Sequence, residues 1–389
     1  MVSSSWLKLI NDLPLSSEIL GSPGGFYAST LEWVAIDRLA QSQIDRTYTS
    51  IYSKNIIVRT RLPKTVNGEI PPEFQQQLQT ETPEIFIVTI PEGRAWSDCA
   101  IITPDDRLLA DISKAYAPIE RHPIFQKWKL RPASYIKGTV VVLAVLGGGH
   151  NYYHWMFEVL PRLSLLFASH IGIDDIDYFF LNNCKLSFQQ ETLAILGIPM
   201  EKVIECNKKS HIKARKLIVP SLSGNTFDVP AWVCNFLRSK FLNSEIKSSV
   251  GDKRLYVSRT DAAYRKLLNE EEIIDFLSRY GFEDVNLTSM SVTAQIALFA
   301  SAEVVVAPHG AGLANIVFCH PETKLVELFP PTYVKPYFWF LSNHIPLDYY
   351  CAIGEADPDT SFGKSHSYTH NFYIDINKLS EVMIIADIH

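Results

Sequence analysis

The chain has 389 residues, 47% of them hydrophobic and 20% charged, with a net charge of −6. That length and composition describe a globular chain of about two domains with sizeable cores, and they exclude a disordered one. The negative balance argues against a nucleic-acid backbone as partner. The longest apolar run of note, Val140 to Leu146, is far short of the roughly 20 residues that span a bilayer.

Residues 1–135 read as an irregular, β-rich start. Met1 to Lys8 lacks the basic region and long apolar stretch of a signal peptide. Asn55 to Val58 and Ile85 to Val88 are strand-like, broken by Pro63, Pro71, Pro72, Pro83 and Pro91. Asp105-Asp106 before Arg107-Leu108-Leu109 predicts a hairpin turn. From 139 the pattern changes to alternating strand and helix. Val140 to Leu146 predicts a strand buried on both faces, and Gly147-Gly148-Gly149 breaks it. A helix follows from Asn151 to about Ala168, with Pro161 as a kink. Tyr178 to Leu181 is the next strand, Ser187 to Leu196 a helix stopped by Gly197, Leu217 to Val219 a strand and Ala231 to Leu242 a helix. The basic run from Lys208 to Lys216 reads as a solvated loop leading into the strand at Leu217.

Polar residues from Asn243 to Lys253 are the candidate linker. Alternation then resumes. Strands are expected at Leu255–Val257, Asp284–Leu287, Val304–Val306 and Leu325–Leu328. Helices are expected from Asn269, with Glu272 three residues on as in a capping box, from Thr293 to Ala300 and from Leu313 to Phe318. Such alternation predicts parallel sheets with helices on both faces. The expected domains are 1–245, 246–345 and a weakly periodic tail, 346–389, packing back on the body. Cys99, Cys184, Cys206, Cys234, Cys319 and Cys351 form no C-x-x-C pair, so neither a zinc site nor a redox motif is signalled; scattered thiols fit a reducing compartment.

Three segments could carry chemistry. Val304 to Pro308 runs into His309-Gly310-Ala311-Gly312 and on to Asn315. A buried strand, a glycine loop and a helix start suit an anion such as a diphosphate, because glycines admit a close ligand and the helix start offers free N–H groups. His309 could donate to a phosphate oxygen; the same turn also reads as a plain strand–helix connection. In Asn151-Tyr152-Tyr153-His154-Trp155-Met156-Phe157-Glu158, His154 and Glu158 lie four apart on one helix face, a spacing suited to a general base oriented by a carboxylate. The pair reads equally as a carboxylate satisfying a half-buried histidine. Arg259 and Arg265, after the strand at Val257 and before Asn269, are suited to phosphate through their planar forks. Glu327, inside an apolar strand, needs a partner: a ribose hydroxyl pair or a structural arginine. Tyr333, Tyr337, Phe338 and Trp339 could stack on a base or sugar and read more readily as core. Asp175-Ile176-Asp177 and Asp357-Pro358-Asp359 match a two-carboxylate metal spacing too short to be specific.

Together, Asn151 to Trp155 with Glu158 and Leu160-Pro161-Arg162, Ser258-Arg259 with Arg265 and Asn269, Gln295, Pro308 to Asn315, and Val326-Glu327 resemble glycosyltransferase family 61 in order and spacing, over roughly 140–330. The resemblance implies a GT-B-like α/β fold, two Rossmann-like domains facing a cleft, and inverting transfer from a nucleotide sugar, often a UDP-sugar, to a hydroxyl of a glycan or glycoconjugate. On that basis His154 or Glu158 is the expected base. Arg259, Arg265, Asn269, His309, Gly310, Ala311, Gly312, Asn315 and Glu327 are expected on the donor side, and Asn151 and Tyr153 on the acceptor side. No metal or other cofactor is expected. The expected compartment is cytoplasmic, with peripheral membrane contact left open. Rival readings are a catalytically silent nucleotide-sugar-binding protein and a nucleotide-sugar epimerase.

Overall fold

The computed structural model describes residues 21–39, 47–97, 100–115, 117–225, 227–242, 251–358 and 367–389. The N-terminal expectation, Cys99, most of the candidate linker and Asp359 lie outside the described residues. The fold is mixed α/β and divides into two compact units, one within 1–54 and 83–223, the other within 55–82 and 224–389. No described helix is long and apolar enough to cross a membrane.

Ten described strands build the sheet of the first unit. Its parallel half runs in the order His211–Pro220, Ser134–Val142, Tyr178–Leu181, Val203–Glu205. On the other side, strands from residues 26–109 continue it, mostly antiparallel. The β-branched run ends its ladder at Val142. Leu143 and Ala144 then donate to the Phe180 carbonyl and Val145 to the Asn182 side chain. The predicted hairpin at Asp105-Asp106 joins strands Ala100–Ile102 and Leu108–Leu109. The basic run corrects one expectation: His211 to Lys216 already belong to the strand. Ile212 and Ala214 face inward while Lys213 and Arg215 point out, so charge masks a period-two pattern.

The helix expected from Asn151 is present in three pieces: Tyr152–His154, a π-turn over Trp155–Val159, and Arg162–Ala168. Asn151 caps it by accepting from the N–H groups of Tyr153 and His154. Pro161 has no N–H to return to the carbonyl of Phe157, and Ser223 Oγ donates to that carbonyl instead, at 2.9 Å. Leu160 N–H reaches back five residues to Trp155.

In the second unit five strands, all parallel, run in the order Phe282–Val285, Lys253–Val257, Ala302–Pro308, Lys324–Phe329, Asp348–Ile353. In chain order within this sheet that is 2-1-3-4-5. The reversal of direction falls between Lys253–Val257 and Ala302–Pro308, and in open parallel sheets the crevice at the carboxyl ends of two such strands is where ligands sit. Two corrections follow. The weakly periodic segment after 346 supplies the last strand of this sheet and the helix Ile376–Ile385, whose Leu379, Val382 and Met383 are core. Residues 55–82 belong with this unit: Lys64 pairs with the outer edge of Asp348–Ile353 through bonds to Tyr349 and Cys351. The turn after the glycine loop, Ala311–Phe318, is a 3-10 helix, tighter than the α-helix expected.

Candidate functional site

The strands on either side of the reversal deliver the two halves of one site in the second unit. Lys253–Val257 leads to Ser258-Arg259, and Ala302–Pro308 leads to His309-Gly310. A Cβ on Gly310 would lie 2.7 Å from Cζ of Arg259 and closer still to its Nη1, so only glycine leaves room for the guanidinium. Arg259 Nη2 donates to the Tyr264 carbonyl at 3.0 Å, and its buried Nε has no protein partner. Arg265 donates from Nε to the His309 carbonyl at 3.3 Å and from Nη1 to the Tyr368 carbonyl at 2.8 Å. Its guanidinium carbon lies 4.9 Å from the ring centre of Tyr264 and 5.1 Å from that of Tyr333. Arg265 has a φ of 54°, a left-handed backbone unusual for a non-glycine residue.

Among the described residues neither arginine forms an ion pair. Burial presses Arg259 down to about 10, and the charge of Arg265 presses it in the same direction. Both still carry full charge at neutral pH. The N–H groups of Gly310, Ala311 and Gly312 have no protein acceptor among the described residues. Two guanidiniums without an ion pair and three N–H groups without a protein acceptor, among the described residues, therefore meet at one glycine turn. That is the electrostatic signature of an anion site.

Behind the turn the polar groups are satisfied by one another. His309 is buried, with Nδ1 2.5 Å from Glu327 Oε1, and Tyr349 donates to Glu327 Oε2 at 2.5 Å. Burial holds Glu327 well above the usual carboxylate range. Burial and the charges of Arg265, Arg259 and Lys335 hold His309 well below its own. The His309 ring stacks on Phe329, 5.1 Å between centres. Asn315 donates to Gln295 at 2.8 Å and to the Gly312 carbonyl at 3.2 Å. Asn269 makes no cap bond to its helix. Its side chain exchanges two hydrogen bonds with the Ile374 backbone and one with Glu272, so the capping-box expectation fails because Ile374 competes for the same groups.

The first unit holds the second constellation. His154 Nδ1 lies 3.0 Å from Glu158 Oε2. Gly147, at φ +89°, sits against the His154 ring, where a Cβ would come within 2.8 Å. Glu158 Oε1 is buried without a protein partner, and the positive charges of Lys114 and Arg162 act on this carboxylate. Arg162 is fully buried, is pressed down to about 9 by that burial, and donates to the carbonyls of Pro220 and Ser221. Tyr153 is core, packed on the rings of Phe157 and His154.

The sequence-predicted residues thus separate by place. Arg259, Arg265, His309, Gly310, Ala311 and Gly312 are brought together at the turn, with Glu327 and Asn315 immediately behind it. Asn269 is anchored to Ile374. His154 and Glu158 form a pair in the other unit, with Asn151 as cap and Tyr153 beneath. Tyr349, Tyr264, Lys335 and Lys114 went unassigned. For Tyr349 a signal existed: Glu327 in an apolar strand demands a partner, and Tyr349 pairs in register with Leu325, two residues away on the same face.

The glycine turn and the two arginines thus lie at the strand-order reversal of the second unit's parallel sheet. The glycosyltransferase 61 family model matches residues 152–326. The chain is 29% identical over 133 residues to beta-1,2-xylosyltransferase RCN11 of Oryza sativa subsp. japonica, covering 30% of this chain and 25% of the relative. It is 31% identical over 109 residues to a beta-1,2-xylosyltransferase of Arabidopsis thaliana, 24% of this chain and 20% of the relative. It is 39% identical over 82 residues to the xylosyltransferase XAX1 of Oryza sativa subsp. japonica, 20% of this chain and 14% of the relative. The matches span no more than a quarter of these relatives' lengths.

Proposed function

We propose that the protein is an inverting glycosyltransferase that takes its sugar from a nucleoside diphosphate sugar bound at the glycine turn of the second unit. The observation that carries this reading is the meeting of Arg259 and Arg265, neither ion-paired among the described residues, with the open N–H groups of Gly310 to Gly312 at the strand-order reversal. The family-model match over residues 152–326 supports the transfer, and the names of the relatives favour a pentose donor such as UDP-xylose. The GT-B-like reading of the fold belongs to the same proposal and rests on the parallel sheet of the second unit and the family match.

In such a transfer the acceptor oxygen bonds to the anomeric carbon as the bond from that carbon to the diphosphate oxygen breaks. The leaving diphosphate gathers the negative charge, and prealigned donors stabilise it without reorganising. Arg259, Arg265 and the turn fill that role. The acceptor hydroxyl proton passes to His154 or Glu158, the pair whose Nδ1 and Oε2 lie 3.0 Å apart. The two guanidiniums supply the charge that a metal would otherwise bring, so activity is expected to survive chelation.

A thermal-shift screen of UDP-, GDP- and other nucleotide sugars, with and without chelator, tests the reading. A ligand at a hundred times its dissociation constant adds about 2.7 kcal/mol to the native state. Stabilisation by one nucleotide series, followed by glycoside formation, supports it. Stabilisation by none of them, or conversion of the donor into an isomeric nucleotide sugar, refutes it.

A further inference from the structure

We propose that Lys335 is a third phosphate-binding cation of this site, held in place with Arg265 by the ring of Tyr333; the inference rests on the donor reading above. Lys335 lies in the connection between strand Lys324–Phe329 and helix Tyr337–His344, the strand next to the one that delivers His309. Its Nζ is 5.6 Å from the centre of the Tyr333 ring, and the same ring lies 5.1 Å from the Arg265 guanidinium and 5.6 Å from the His309 ring. One aromatic ring therefore sits among two cations and the glycine turn.

The pairing is informative because of what is missing from it. A cation fixed by a carboxylate has its charge spent on that carboxylate. A cation fixed by an aromatic face keeps nearly all of its field for a further anion. Among the described residues Lys335 has no ion pair and no hydrogen bond. Its charge, with those of Arg259 and Arg265, acts on His309 at the turn. The carboxylate behind the turn, Glu327, has both oxygens engaged by His309 and Tyr349. Three cations at one turn match the two to three negative charges of a nucleoside diphosphate better than the single charge of a phosphodiester. Lys335 thus selects for the diphosphate class of donor.

The test is calorimetric titration of the full chain with inorganic pyrophosphate, inorganic phosphate and UDP. Lys335→Met is expected to weaken pyrophosphate and UDP about tenfold or more, the loss of one charge-assisted contact, with thermal unfolding unchanged. Phosphate should weaken less, and Lys335→Arg should restore most of the loss. Tyr333→Phe should bind as the parent does, while Tyr333→Leu should lose affinity for both diphosphates. If Lys335→Met binds pyrophosphate as the parent does while Arg265→Ala does not, the role of Lys335 is refuted and the donor reading stands. If the parent binds neither pyrophosphate nor UDP, both fall together.

Discussion

Replacing Gly310 by alanine separates donor binding from folding. The residue is extended, with φ −178° and ψ 170°, a conformation any residue adopts, so alanine introduces no backbone strain. What it does introduce is a methyl 2.7 Å from Cζ of Arg259 and closer still to Nη1. An ordinary separation of two such atoms is about 3.5 Å or more, so the guanidinium must retreat by about an ångström. The obstacle is the end of a flexible side chain. Its retreat gives up mainly the hydrogen bond to the Tyr264 carbonyl, worth about 1 kcal/mol. The reduced freedom of the unfolded chain offsets about 0.4–1 kcal/mol of that. Thermal unfolding should therefore move by only a few degrees. A displaced guanidinium forfeits a charge-assisted hydrogen bond of about 1.5–3 kcal/mol to the diphosphate, a weakening of roughly ten- to a hundredfold. Calorimetric titration with UDP beside a melting curve reads both quantities. UDP affinity equal to the parent's in a folded Gly310→Ala variant would refute the placement of Arg259 at the leaving group.

His154→Ala should lower turnover about 10²- to 10⁴-fold with donor affinity unchanged, checked by single-turnover kinetics beside titration with UDP. Glu158→Gln should fall less far and change the pH–rate profile; equal and complete losses in both variants would place the base at Glu158. Glu327→Ala leaves His309 Nδ1 and the Tyr349 hydroxyl unpaired in the core and should cost about 2–4 kcal/mol by denaturant unfolding, while Glu327→Gln should cost about 1 kcal/mol. The pH dependence of stability offers a test independent of function. Burial presses His211 down to about 4, although its Nδ1 hydrogen bond to the Arg131 carbonyl opposes that shift. The unfolded chain takes up this proton near 6.5, so the contribution of His211 is complete above 6.5 and declines as pH falls towards 4. The loss is on the order of 2–3 kcal/mol, and His211→Gln should flatten that part of the curve.

Much of the second unit was legible because its strands are β-branched runs buried on both faces, and Val304 to Val306 into a glycine loop is the plainest case. The loop, both arginines and the His154–Glu158 face were legible for the same local reason: spacing along one chain segment. Strand order was not, since nothing local to Lys253–Val257 or Ala302–Pro308 says that these two strands are neighbours. The switch point therefore emerged only with the sheet. Nor was the partnership of Glu327 with Tyr349, which depends on the pairing of two strands. The strand Asp348–Ile353 escaped because its polar ends and tyrosines hide a buried middle. The π-turn escaped because Pro161 predicts a kink without saying which side chain takes up the freed Phe157 carbonyl; Ser223, 66 residues away, does so.

A crystal structure of the protein with UDP tests the central claim most directly. The account predicts both phosphates at the glycine turn, within hydrogen-bond distance of the Arg259 and Arg265 guanidiniums and of N–H groups from Gly310 to Gly312. Phosphates bound elsewhere, with Arg259 and Arg265 still engaged only with the carbonyls of Tyr264, His309 and Tyr368, would contradict it.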